Sequence, residues 1–274
     1  MYSTAHIIFI IISLILVVIG TLICIRNNLQ VYDVIKVCFL IAVICEIIKI
    51  FTIIEIVPMV ETVVENGSLV YNETGRFSPY IEAEHLPFEL CSFQIIFLFI
   101  ARVIKNETWK RRVYSLIYAT ALIGGMLAIF LSSIAPEFDT TKDFLLSIRA
   151  WEFYIYHSML IVIAIVIARD KNNYIRFSDV KWTCIILVLL DILSFYLNSI
   201  LSVPVYRNGN LVGLEYAVNY FSSYNNPLGI VLTTKKQYFM YLAFRFILAI
   251  VFIVIIYLPF LKTKKSVDND GKGG

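Results

Sequence analysis

The chain has 274 residues, of which 59% are apolar and 16% charged, and its mean hydropathy is +0.81. An average soluble domain holds roughly 45–50% apolar and about 25% charged residues, so a soluble enzyme, a disordered chain and a fibrous chain are excluded. The net charge of +3 is too small to point to nucleic acid.

The apolar residues fall in runs of about 20, the length that crosses a hydrocarbon core. In chain order they predict membrane helices near 7–25, 34–57, 87–104, 113–135, 146–168, 182–203 and 238–261. The first run has neither a basic leader nor a small-residue cleavage site, which predicts a retained helix rather than a signal peptide. The expected fold class is therefore all-α: one seven-helix transmembrane domain over 1–265, followed by a disordered polar tail over 266–274. Two long connections separate these runs. Residues 58–86 are acidic, with Glu61, Glu65, Glu73, Glu82 and Glu84. Residues 204–237 carry Tyr206, Tyr216, Tyr220, Phe221, Tyr224, Asn225, Asn226 and Pro227. Loops of this size either cover a site or simply connect. Asn66 and Asn72 head formal glycosylation sequons, which have meaning only in a eukaryotic secretory pathway. A third sequon, at Asn106, is discounted because it falls on the cytoplasmic side of the expected topology.

Orientation follows from the basic residues. Alternate connections and the tail hold Arg26, Lys36, Arg102, Lys105, Lys110, Arg111, Arg112, Arg169, Lys171, Arg176, Lys181, Lys262, Lys264, Lys265 and Lys272. The other connections hold Arg76, Lys142, Arg149, Arg207, Lys235 and Lys236. The bias places the N-terminus outside and the C-terminus in the cytoplasm. Trp109, Trp151 and Trp182 fall near predicted helix ends, as an interfacial aromatic belt requires.

Ionisable groups inside a span are costly, so they pair or line a cavity. The second span carries Glu46 and Lys49, spaced to share one face. The third opens with His85, Pro87, Glu89 and Cys91. The fifth carries Glu152 and His157, the sixth Asp191 and Asn198, the seventh Arg245. Counting along each helix gathers this set in the middle and outer half of the membrane, with no matching set near the cytoplasmic face. A pocket opening outward is expected, rather than an ion path. Glu46 with Lys49, and Asp191 with Arg245, also read as charge pairs that hold a bundle together. Cys24, Cys38, Cys45 and Cys184 read as packing residues; there is no CxxC, and neither a metal nor a cofactor is expected. Cys91 differs, because a helix N-terminus favours a thiolate and His157 lies at similar depth. A Cys–His pair in an apolar pocket is a nucleophile with its base; a packing cysteine beside a hydrogen-bonded histidine is the plainer reading.

The stretch His85-Leu-Pro-Phe-Glu-Leu-Cys91 resembles the H-x-P-x-x-x-C that opens a membrane helix in the YwaF-like integral membrane proteins, distant relatives of eukaryotic transmembrane protein 164. Glu46, Phe153-Tyr-Ile-Tyr-His157-Ser, Asn198 and Tyr257-Leu-Pro-Phe260 match further family features in order, over roughly 34–261. Glu89 stands where relatives often have His, and Asn219-Tyr220-Phe221 is a displaced echo of a compact Asn-Tyr-x-x-Leu. The resemblance implies a Cys–His acyltransferase or lipid hydrolase acting on phospholipid acyl esters, with Cys91 accepting the acyl group and His157 as base. It also implies a bacterial plasma membrane setting and membrane lipid as the partner. His85, Glu89, Glu46, Lys49, Asp191, Asn198 and Arg245 are then supporting or substrate-binding residues, with Arg245 or Lys49 on a phosphate. The alternative class is a non-catalytic lipid- or small-molecule-binding permease or accessory subunit.

Overall fold

A computed structural model describes residues 4–65, 68–132, 134, 140–170, 172, 174–207, 210–215, 218–222 and 233–261. The sequon residue Asn66, the loop residues Tyr216 and Tyr224–Pro227, and the tail beyond Leu261 with its four lysines lie outside the described residues. The described residues hold eight α-helices: α1 (Thr4–Arg26), α2 (Val31–Ile53), α3 (Leu90–Val103), α4 (Glu107–Leu131), α5 (Thr141–Leu146), α6 (Ile148–Arg169), α7 (Val180–Leu201) and α8 (Lys235–Tyr257). Polar side chains set several of their starts. Asn106 accepts from the Trp109 amide at 3.1 Å to cap α4, so this sequon residue serves as a helix cap. Ser147 caps α6, and Thr234 with Gln237 forms a capping box on α8.

Five helical segments are long and apolar enough to cross a membrane: Thr4–Arg26, Glu107–Leu131, Ile148–Arg169, Phe177–Leu201 and Lys235–Phe260. Of the other two predicted spans, α2 carries Asp33, Lys36, Glu46 and Lys49, and α3 is only 14 residues long. Leu146 ends α5 and Ser147 opens α6, so the predicted fifth span begins two residues later than expected.

The expectation of an all-α chain is corrected by two antiparallel hairpins. β1 (Glu55–Glu65) pairs with β2 (Ser68–Tyr80), and β3 (Val203–Arg207) with β4 (Asn210–Glu215). β1 is rich in Val, Ile and Thr, which suit an extended chain better than a helix. These strands end α2 earlier than the apolar run implied, at Ile53. One hairpin connects the end of α2 to the start of α3 and the other the end of α7 to the start of α8, so both belong to one end of the bundle.

α6 is the central helix. It packs against α1, α2 and α4, and Leu160, Ile163 and Ala164 are fully buried. α3 rests on α2 and α4, while α7 and α8 lie along α4 at the edge. Ile, Leu, Val and Phe exposed along α1 and α8 form the outer surface, as lipid-facing helices require. Polar contacts tie neighbours together where burial would otherwise strand them. Gln94 donates to Thr120 at 2.7 Å between α3 and α4. The Tyr257 hydroxyl sits at 2.9 Å from both Ser115 and Thr183, joining α8 to α4 and α7 at the end opposite the hairpins. At that same end Arg111 pairs with Asp179, and the Arg112 guanidinium stacks on Trp109 and Trp182.

Candidate functional site

At the hairpin end a cavity of about 510 Å³ opens between α2, α3, α4 and α6. Six of the nine site residues expected from the sequence line it: Glu46, Lys49, His85, Glu89, Cys91 and His157. Cys91 and His157 therefore face one shared space, on two helices that start at the same end.

The local sequence explains the position of Cys91. A single 3-10 turn, Ala83–His85, and then Pro87 precede α3. The first helical bond runs from the Phe93 amide to the Glu89 carbonyl, and the Glu89 side chain does not cap the helix. The amides of Leu90, Cys91 and Ser92 thus have no partner in their own helix, and Cys91 lies among them. Tyr156 donates its hydroxyl to the Cys91 carbonyl at 2.5 Å, which ties α3 to α6 beside the next residue, His157.

His157 is buried, and its ring is held in one tautomer. Nδ1 lies 2.7 Å from the Phe153 carbonyl, an acceptor only, so Nδ1 carries the hydrogen. Nε2 is then a lone-pair acceptor, and it is buried without a hydrogen-bond partner among the described residues. A buried acceptor without a partner is costly in a purely structural role, and is the state in which a histidine takes up a proton.

Lys49 and Glu46 pair at 3.0 Å on one face of α2, and both line the cavity. Sequence reasoning missed Arg149, which it counted as a loop charge. Arg149 lines the cavity and pairs with Glu152 one turn along α6. The same i,i+3 spacing that flagged Glu46 and Lys49 marks this second pair. Ser92, Tyr156, Asn219 and Tyr220 add to the polar lining. The charged lining is mixed rather than cationic: Glu46, Glu89 and Glu152 stand beside Lys49 and Arg149.

Asp191, Asn198 and Arg245 do not line this cavity. Arg245 pairs with Asp191 between α8 and α7 and donates to the Phe221 carbonyl. It is not placed to hold a phosphate there, which corrects that expectation. Asn198, fully buried, accepts from the Tyr220 amide at 3.0 Å and donates to the Tyr220 carbonyl at 3.1 Å. The Tyr220 hydroxyl donates to the Ala83 carbonyl, and its ring packs edge-on against Phe88. These three residues thus hold a short strap, 218–222, against the cavity. Phe221 within it has φ +56°, an unfavourable backbone angle for a phenylalanine.

α4 and α6 approach closely beside the site. A Cβ at Gly125 would meet the Ile161 side chain at 2.8 Å and the His157 carbonyl at 3.0 Å, whereas Gly124, which lines the cavity, has nothing within 4 Å. Gly125→Ala is expected to destabilise the fold by about 1–3 kcal/mol through overpacking. Gly124→Ala should leave the melting temperature unchanged or raised, since alanine favours a helix over glycine. Thermal unfolding of both variants in the same detergent checks the contrast.

A second cavity, of about 680 Å³, lies at the opposite end and includes Lys110, Arg169 and Asp170 in its lining. The sequence reading expected no polar set toward that face; these groups sit at helix ends and in the following loop, where counting of intramembrane charges does not find them. The buried apolar run of α6 from Leu160 to Ala164 lies between the levels of the two cavities.

Five helices long and apolar enough to cross a membrane define a multi-pass membrane protein, and a mixed-charge cavity with a cysteine and a histidine on its wall lies at the hairpin end of the bundle. The model of the TMEM164 family matches residues 1–258, and the chain belongs to that family. No curated protein and no solved structure matches it.

Proposed function

We propose that the protein is a Cys–His acyltransferase or lipid hydrolase that acts on phospholipid acyl esters from the hairpin side of the membrane. The observation that carries this reading is the shared cavity: Cys91 at the start of α3, and His157 with a free Nε2, line the same 510 Å³ space. In the proposed reaction the Cys91 sulfur attacks the acyl carbonyl while His157 Nε2 takes the thiol proton. The oxyanion draws on the unpaired first-turn amides of α3. Collapse breaks the ester bond, and the departing lysolipid oxygen takes the proton from His157, leaving a thioester on Cys91. His157 then removes a proton from an acceptor hydroxyl, of a second lysolipid or of water, which attacks the thioester and restores the thiol. The buried apolar run of α6 between the two cavities speaks against the permease alternative, which needs a polar path with two ends.

Purified protein incubated with a phospholipid carrying a labelled acyl chain tests this. The label should become covalently attached to the peptide containing Cys91 and be released by hydroxylamine, as a thioester is. Label on other cysteines alone, or none at all under conditions of turnover, overturns the reading.

Seven spans belong to the same proposal, with α2 and α3 crossing alongside the five long apolar segments in one transmembrane domain. The N-terminus is placed outside, in a bacterial plasma membrane, in the YwaF-like branch of the family. A reporter fused after Lys265 should be active only in the cytoplasm, and activity on the other side would invert the site.

A further inference from the structure

The second cavity has features of a binding site of its own. α1 and α2 follow one another in sequence and both pack on α6, but hardly on each other. The result is a crevice between the end of α1 and the start of α2, with Ile165 and Val166 of α6 in its lining. The 27–30 turn closes it at the membrane face, with Asn28 in a left-handed conformation at φ +48°.

Its polar groups are layered by depth. At the rim stand Arg169, the last residue of α6, and Lys110, in the first turn of α4. Arg169 is exposed and makes no ion pair among the described residues. Lys110 contacts Glu107 at 3.3 Å, but the Glu107 side chain is 74% exposed, so that pair is weak and leaves the lysine available. Asp170, the acidic group in the lining, accepts the Asn172 amide at 2.8 Å. Deeper in lies Thr21, five residues before the end of α1, which is about 7 Å along the helix axis. Its hydroxyl is buried and without a hydrogen-bond partner among the described residues. A helical threonine ordinarily bonds back to its own helix, so this orphan points to a ligand that supplies an acceptor.

We propose that this crevice binds a phospholipid with an anionic headgroup, held by Arg169 and Lys110 at its phosphate, by Thr21 at an ester carbonyl, and by Ile165 and Val166 along its acyl chain. The two cations stand at the helix ends, and the Thr21 hydroxyl with Ile165 and Val166 lies together about one turn further in, as the phosphate on one side and the ester and first methylenes on the other would require. The site is separate from the Cys91 cavity and does not depend on the reaction proposed there.

Native mass spectrometry of the purified protein, in micelles doped with dioleoyl phosphatidylglycerol or dioleoyl phosphatidylcholine, tests the proposal. The parent should retain the phosphatidylglycerol about tenfold more strongly, the range of one or two charge-assisted contacts. The double variant Arg169→Gln/Lys110→Gln should lose the preference, and Thr21→Val should weaken retention. Cys24 lines the crevice and supplies a readout that needs no variant. Phosphatidylglycerol, and not phosphatidylcholine, should slow alkylation of Cys24 by a membrane-permeant maleimide, leaving Cys184 unchanged. Equal retention of the two lipids, or no protection of Cys24, overturns the proposal. Displacement of the lipid by millimolar inorganic phosphate or glycerol phosphate also overturns it, by showing a free-anion site that does not use the acyl chain.

Discussion

Cys91→Ser should abolish covalent acyl capture and turnover, while Cys38→Ser and Cys45→Ser leave both intact. The contrast tests position, because Cys38 and Cys45 are buried in the helix bundle and do not line the cavity. His157→Ala should slow acyl transfer by about 10²–10⁴-fold, the usual worth of a general base. Its effect should fall on the chemical step and not on lipid binding, since the ring lies against Phe153 and Tyr156 on the cavity wall. The same variant should slow labelling of Cys91 by a lipid-soluble electrophile. Full activity in Cys91→Ser removes the catalytic reading, and the motif around it then reduces to packing.

The parts of this site legible in the sequence were those with local geometry. Glu46 and Lys49 share a helix face by spacing alone, and counting residues along their helices brings Cys91 and His157 toward one level, where both line the cavity. Contacts between distant segments were not legible. Tyr220 reaches the Ala83 carbonyl across 137 residues, and Asn198 holds Tyr220 across 22. Depth placed Asp191, Asn198 and Arg245 level with the pocket, but depth does not give the direction a side chain takes around its helix. Arg149 was misjudged for a related reason: a long side chain in the first turn of α6 reaches the cavity wall from a position that reads as loop. The hairpins were hidden because β1 carries Pro58 and three glutamates among its Val, Ile and Met residues, without the regular alternation that marks a half-buried strand.

Arg245→Gln is expected to be among the most destabilising single substitutions in the chain. Asp191 and Arg245 pair inside the bundle with side chains 8% and 18% exposed. Removing one partner of a buried pair leaves the other charge uncompensated, at a cost of about 3–5 kcal/mol. Combining it with Asp191→Asn should recover much of that loss, and the cycle of single and double variants measures the coupling. The consequence extends to the strap, because Arg245 also donates to the carbonyl of Phe221, whose left-handed backbone needs such an anchor. Asn198→Ala acts on the same segment from the other side. It removes the two side-chain hydrogen bonds that hold the Tyr220 backbone, each worth about 0.5–1.5 kcal/mol. Both variants should lower the melting temperature and speed hydrogen exchange at residues 218–222. Both should also expose Cys91 to a water-soluble thiol reagent, since Tyr220 lines its cavity. Residues that touched substrate directly would behave otherwise, changing lipid preference at unchanged stability. That outcome would return Asn198 and Arg245 to the pocket and remove the strap from the account of the site.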